Sequence, residues 1–125
     1  MIADYLEEVL EEAGCEVCGI AETVDEAITM GRTHRPDLGV IDLRLADGGF
    51  GTEVAAALCQ DAGFGVLYST GNPNHPLLQG APGTACLAKP YSPDALLVAL
   101  RVVREHVTKA ACRTAFPAGF ALLAA

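Results

Sequence analysis

Three polar residues with complementary chemistry each come at the end of an apolar run: Asp42, Thr70 and Lys89. A carboxylate can attack a phosphoryl donor and form an acyl phosphate. The oxygens of the new phosphoryl group then need compensating donors, which an ammonium and a hydroxyl supply. The lysine also pairs with the free carboxylate beforehand. The set therefore indicates a site that accepts a phosphoryl group.

Each of these residues also has an ordinary structural interpretation. Asp42 could cap a glycine-rich loop, Thr70 could be a turn residue, and Lys89 could be a solvated loop lysine. Their order along the chain favours the chemical interpretation over three independent coincidences.

The elements that must place these residues alternate between helix and strand. The spacing of apolar residues predicts helices over 2–13, 23–35, 52–61 and 92–107, with Thr23 and Ser92 as N-caps. Apolar runs predict strands over 15–21, 38–42, 64–69 and 84–88. The alternation predicts an α/β fold, a doubly wound parallel sheet with helices on both faces. Ligand chemistry in such sheets gathers at the carboxyl ends of the strands, where all three residues fall.

Residues 2–106 resemble the receiver domain of two-component response regulators, which has a flavodoxin-like fold. The resemblance rests on the segments 38–42, 68–71 and 89–91, in this order and at this spacing. It implies that Asp42 is the phosphoacceptor, Thr70 the switch hydroxyl and Lys89 their cationic partner.

The resemblance also assigns three further positions. Pro90 is expected to follow a cis peptide bond, and Tyr91 is the aromatic residue that comes next in the family's pattern. Cys86 stands where receivers often place an aromatic side chain that swings inward when the switch hydroxyl moves. A cysteine is too small to report that motion in the same way, so another readout is expected.

In receivers a magnesium ion is held by the phosphoacceptor, a loop carbonyl and two acids at the end of the first strand. The resemblance assigns Asp42 and the backbone carbonyl of Arg44 to this site. The first strand and its acidic pair would lie before Met1, so the expectation is a receiver that lacks both. Mg²⁺ binding should then be severely weakened, and phosphorylation of Asp42 slow or absent.

Three explanations of the missing strand stay open. Met1 can be an internal methionine of a normal receiver, or the chain can be a degenerate receiver that binds proteins without phosphorylation. Alternatively, residues 119–125 or a strand from a second chain can fill the gap. An unfilled gap leaves strand 15–21 without a neighbour and leaves an open sheet through which the chain could dimerise. A frayed end or a helix extension is the simpler expectation for the apolar tail.

Cys15 and Cys18 have the spacing of a redox motif, but they fall in a predicted strand rather than at a helix N-terminus. We therefore predict structural, reduced cysteines. The histidines are isolated, so no zinc site is predicted.

Composition limits the classes of partner. The chain has 125 residues, of which 51% are apolar, and its formal net charge is −8. Nucleic acid and anionic membranes both require clustered basic residues, so neither is an expected partner. One domain over 1–107 followed by an apolar tail over 108–125, in a cytoplasmic protein, is the predicted organisation.

The resemblance implies a phosphoacceptor signalling domain rather than an enzyme acting on small molecules. A sensor histidine kinase or phosphotransfer protein would be the donor, and a downstream protein partner would bind the face formed by about residues 76–105. The rival hypothesis is an interaction module that works without phosphorylation. The two differ in whether Asp42 gains a phosphoryl group.

Overall fold

The computed structural model describes residues 4–59, 63–109 and 114–123. Its helices are α1 (Asp4–Glu12), α2 (Val24–His34), α3 (Gly51–Leu58) and α4 (Pro93–Val107), with one 3₁₀ turn at Pro76–Leu78. Its strands are β1 (Leu38–Asp42), β2 (Gly65–Thr70), β3 (Ala85–Ala88) and β4 (Phe120–Leu122). The first two residues of the first predicted helix, 2–3, lie outside the described residues. So do the last two residues of the third predicted helix, 60–61.

The strands form one sheet in the order β1-β2-β3-β4. The first three strands are parallel, as predicted; α3 connects β1 to β2, and the 3₁₀ turn lies between β2 and β3. The register sets Asp42 opposite Ser69 on β2, and Thr70 opposite Ala88 on β3. The carboxyl ends of the three parallel strands therefore meet at one edge of the sheet.

The C-terminal segment departs from its prediction. Instead of a frayed end or a helix extension, it forms β4, which pairs antiparallel with β3. It also does not fill the predicted gap, since it lies at the opposite side of the sheet from β1. The physical reason is that β3 offers a free row of backbone groups, which a short Ala-rich segment can satisfy despite its low intrinsic strand preference.

The strand predicted over 15–21 is wrong. Those residues have no regular secondary structure, although Val17 packs against the core. Alternating apolar residues form a strand only when a neighbouring strand exchanges hydrogen bonds with them. Among the described residues, no strand lies beside this segment.

The helix ends follow their sequence signals. The hydroxyl of Thr23 accepts the N–H of Glu26 at 3.2 Å, and that of Ser92 accepts the N–H of Ala95 at 3.1 Å. After α1, Gly14 has φ +94°, a left-handed conformation that glycine adopts at no steric cost. These caps fix where the helices begin and end, and hence the loops that lie around the candidate site.

Two buried clusters cover the two faces of the sheet. The first packs α1 and α4 on one face and includes Leu10, Leu67, Leu87, Leu96, Leu100 and Val103. The second packs the other face and includes Leu43, Ala55, Val66, Tyr68, Leu78 and Cys86. Both clusters bury side chains of β2, which is the most enclosed strand. This central position anchors the strand that ends in Thr70.

None of the described helices is long and apolar enough to cross a membrane.

Candidate functional site

Asp42 and Lys89, which are far apart in sequence, form an ion pair. Lys89 Nζ lies 2.9 Å from Asp42 Oδ1. The Asp42 side chain is only 16% exposed, whereas that of Lys89 is 47% exposed. The partly buried carboxylate therefore has a cationic neighbour and keeps some exposure to solvent.

Thr70 is buried at the end of β2, and its hydroxyl is engaged by its own loop. Thr70 Oγ1 donates to the carbonyl of Asn72 at 3.1 Å and accepts the N–H of Asn72 at 3.0 Å. To donate to an oxygen of a group on Asp42, the hydroxyl must release the Asn72 carbonyl.

The turn after β3 is fixed to the end of β2 through the backbone. The N–H of Lys89 donates to the carbonyl of Thr70 at 2.7 Å. The Lys89–Pro90 peptide bond is cis, as expected. The hydrogen bond to Thr70 holds the backbone of Lys89 beside the end of β2.

The loop after β1 folds back tightly beside Asp42. Two of its hydrogen bonds run from Leu45 N–H to Gly49 C=O at 2.9 Å and from Gly51 N–H to Leu43 C=O at 2.8 Å. They flank an isolated bridge between Arg44 and Phe50. Neither bond uses the carbonyl of Arg44, which is the group that the resemblance assigns to a metal.

The described residues do not by themselves fit a magnesium ion. Mg²⁺ prefers an octahedral set of oxygen ligands. Within 4–59, 63–109 and 114–123, no three Asp, Glu, His or Cys side chains come together in a way that could hold a metal. Asp42 is moreover paired with a cation. Asp42 and Arg44 remain the assigned ligands, but they do not complete a site.

Comparison with known proteins places the chain among signalling regulators. It is 35% identical over 95 residues to the phyllosphere-induced regulator PhyR of Methylorubrum extorquens, a match that covers 74% of this chain. The response regulator PhyR from Brucella abortus matches with a TM-score of 0.59 and 30% identity over 72% of the chain. The signal receiver domain of a modulated diguanylate cyclase from Desulfovibrio desulfuricans G20 matches with a TM-score of 0.71, 26% identity and coverage of 84% of this chain and 86% of that domain. No family model matches the chain.

The chain is a response-regulator receiver domain. This confirms the resemblance and the fold class inferred from the sequence. The chain spans 36% of the length of the M. extorquens regulator and 37% of the Brucella protein. The activities of those whole proteins are therefore not transferred with the fold.

The receiver domain contains one contact that the sequence did not suggest. Ser69 is 3% exposed, and its hydroxyl lies 3.0 Å from the hydroxyl of Tyr91. The available signal was a polar residue in a fully buried strand, because a buried hydroxyl needs a hydrogen-bond partner. The sequence named Tyr91 only through the family pattern.

Cys86 is fully buried in the receiver domain's second cluster, beside Tyr68. Burial raises the pKa of the Cys86 thiol, and a hydrogen bond with the backbone of Ala121 opposes this only in part. Burial also raises the pKa of Tyr68, with a smaller contribution from nearby Cys59. The Tyr68 hydroxyl keeps its proton and donates a hydrogen bond to the carbonyl of Pro82. Both side chains are consistent with a core role.

Cys15 and Cys18 are exposed, so the structural role predicted for them is wrong. The expectation depended on the strand predicted over 15–21, which does not form. Cys112 lies outside the described residues.

Proposed function

We propose that this receiver domain accepts a phosphoryl group on Asp42 from a histidine kinase or a phosphotransfer protein. The observation that carries the proposal is the 2.9 Å contact between Lys89 Nζ and Asp42 Oδ1, at the sheet edge where β2 also ends in Thr70. It brings together a nucleophile, a cation and a hydroxyl from three separate strand ends.

The transfer uses the Asp42 carboxylate as the nucleophile. A carboxylate oxygen attacks the phosphorus of a phosphohistidine, the P–N bond breaks, and the imidazole nitrogen takes the electron pair. The product is an acyl phosphate on Asp42. The Lys89 ammonium then pairs with a phosphoryl oxygen, and the Thr70 hydroxyl donates to another once it leaves the Asn72 carbonyl.

Output through protein contact completes the proposal. The surface formed by about residues 76–105 contains the 3₁₀ turn, β3 and α4, which follow directly after Thr70 and Lys89. Moving the Thr70 hydroxyl releases its loop, so the modification can bias two arrangements of this surface. A downstream protein that binds one arrangement better would read the state of Asp42.

A second function, protein binding without phosphorylation, is favoured by one observation. The described residues do not complete a magnesium site, and charge on a transferring phosphoryl group needs compensation.

The outer side of β1 has no strand beside it among the described residues, so a second copy could pair there. Analytical ultracentrifugation at several concentrations would detect such a dimer.

Incubation with acetyl phosphate, with and without Mg²⁺, followed by intact-mass measurement separates the two functions. The first predicts a gain of one phosphoryl group that Asp42→Asn abolishes. Asp47→Asn, which removes an exposed carboxylate from the adjacent loop, is the matched control and should keep the gain. A folded wild-type sample that gains no mass in either condition contradicts phosphorylation and leaves the interaction module.

A further inference from the structure

The hydroxyls of Ser69 and Tyr91 join the end of β2 to the turn that carries Lys89. Their oxygens are 3.0 Å apart. Ser69 is buried, and the half-buried Tyr91 packs against the first core cluster. The ring of Tyr91 is therefore held by apolar contacts, and its hydroxyl can fix the distance to Ser69.

Both ends of this hydrogen bond lie next to the proposed chemistry. Ser69 is the register partner of Asp42 on the neighbouring strand, and Tyr91 follows Lys89 by one intervening proline. A second link, from the Lys89 N–H to the Thr70 carbonyl at 2.7 Å, runs alongside the first. Two hydrogen bonds thus clamp the turn after β3 to the strand that pairs with β1.

The direction of the Lys89 side chain depends on these two hydrogen bonds, because they hold its backbone in place. Its four-carbon stem is flexible, and the side chain is 47% exposed, so packing contributes little to its direction. A lysine of this kind meets Asp42 only if its Cα is placed correctly, because each freely rotating bond disperses the ammonium over a larger volume.

We infer that Tyr91 is a positioning residue, which acts through Ser69 to hold the Lys89 turn against β2 and so keeps the Lys89 ammonium on Asp42. The inference rests on the proposed phosphoryl transfer for its effect on rate. Its effect on the Lys89–Asp42 pair does not require that any phosphorylation occurs.

The first test measures rates of phosphorylation by acetyl phosphate. Tyr91→Phe and Ser69→Ala each remove one hydroxyl and should each slow the reaction about fivefold, the equivalent of one lost hydrogen bond. The double variant should be no slower than either single one, because both break the same contact. Ser69→Thr keeps a hydroxyl and should restore most of the rate.

Tyr68→Phe is the matched control. It removes a tyrosine hydroxyl that donates to the carbonyl of Pro82, and the Tyr68 ring packs in the second core cluster, whereas Tyr91 packs against the first. It should lower stability as Tyr91→Phe does and leave the rate unchanged. If Tyr68→Phe slows the reaction as much as Tyr91→Phe, the effect is general destabilisation, and the inference is wrong.

The second test reads the ion pair directly, without a phosphoryl donor. The side-chain carboxyl ¹³C resonance of Asp42 is recorded at one pH in the wild type, Lys89→Met, Tyr91→Phe and Tyr68→Phe. Tyr91→Phe should shift the resonance in the same direction as Lys89→Met, and Tyr68→Phe should leave it in place. A Tyr91→Phe resonance at the wild-type position overturns the inference even if the wild type is phosphorylated. Failure of phosphorylation alone contradicts only the proposed function.

Discussion

Gly51 packs directly against the backbone of Asp42: a Cβ added at this glycine would overlap the Asp42 carbonyl oxygen. Gly51 is also the first residue of α3, and its N–H bonds the carbonyl of Leu43. The loop that returns beside the proposed phosphoacceptor can therefore close this tightly only because position 51 has no side chain.

Gly51→Ala should destabilise the fold by about 1–3 kcal/mol, the usual cost of forcing atoms into a filled space. Urea denaturation followed by circular dichroism measures the change. Gly71→Ala is the matched control, since a Cβ there meets nothing within 4 Å. Equal urea midpoints for Gly51→Ala and the wild type would mean that the loop accommodates the added methyl group without losing free energy of unfolding.

Lys89→Met should slow phosphorylation of Asp42 by about 100-fold, because it removes a charged donor that compensates the phosphoryl oxygens. The initial rate of mass gain in acetyl phosphate reports the effect. Lys109→Met removes an exposed lysine beyond the end of α4 and should react like the wild type. A similar loss in both variants would point to overall charge rather than to the Asp42 pair.

Phe120→Ala should cost about 2 kcal/mol of unfolding free energy, less than the roughly 3–5 kcal/mol of a fully buried phenylalanine. Phe120 is partly buried against the first core cluster. Its ring meets that of Phe116 edge to face, with 4.8 Å between the ring centroids. Leu122→Ala, in the same strand but 39% exposed, should cost distinctly less. If neither substitution changes the urea midpoint, β4 contributes no stability.

Tyr68→Phe should lose about 1 kcal/mol near pH 8, since a buried hydrogen bond to Pro82 disappears. Burial raises the pKa of Tyr68 in the folded state. The stabilisation is therefore complete below the ordinary tyrosine value of about 10 and is lost as the pH rises above it, because the unfolded chain releases the proton first. Urea midpoints of the two proteins should converge between pH 10 and 11. Raised thiol pKa values are common to both proteins and cancel in the difference.

The sequence predicted the ends of the three parallel strands better than it predicted the edges of the sheet. Asp42, Thr70 and Lys89 come together because parallel strands end on one side, so apolar runs and caps were sufficient to place them. Segment 15–21 has a strand-like pattern but no partner strand within the described part of the chain, whereas residues 120–122 have a partner but a weak pattern. Strand formation at an edge is decided by the neighbour, which single-sequence patterns do not contain.

The contact between Ser69 and Tyr91 was missed for a related reason. Each residue alone is unremarkable, a serine in an apolar strand and a tyrosine after a proline. Their distance follows from the register of β2 with β3 and from the turn after β3, which are three-dimensional facts. The one sequence signal that predicts such a hydrogen-bond partner is a polar residue in a buried strand.

Strand β3 carries two populations of backbone amides because β4 covers its outer side. The N–H of Ala88 bonds outward to Gly119, and the N–H of Leu123 bonds inward to Thr84. Amides of this outer ladder exchange with solvent whenever the short β4 lifts away, whereas those between β2 and β3 wait for the sheet itself to open. A single strand thus contains amides that exchange slowly and amides that exchange quickly with solvent.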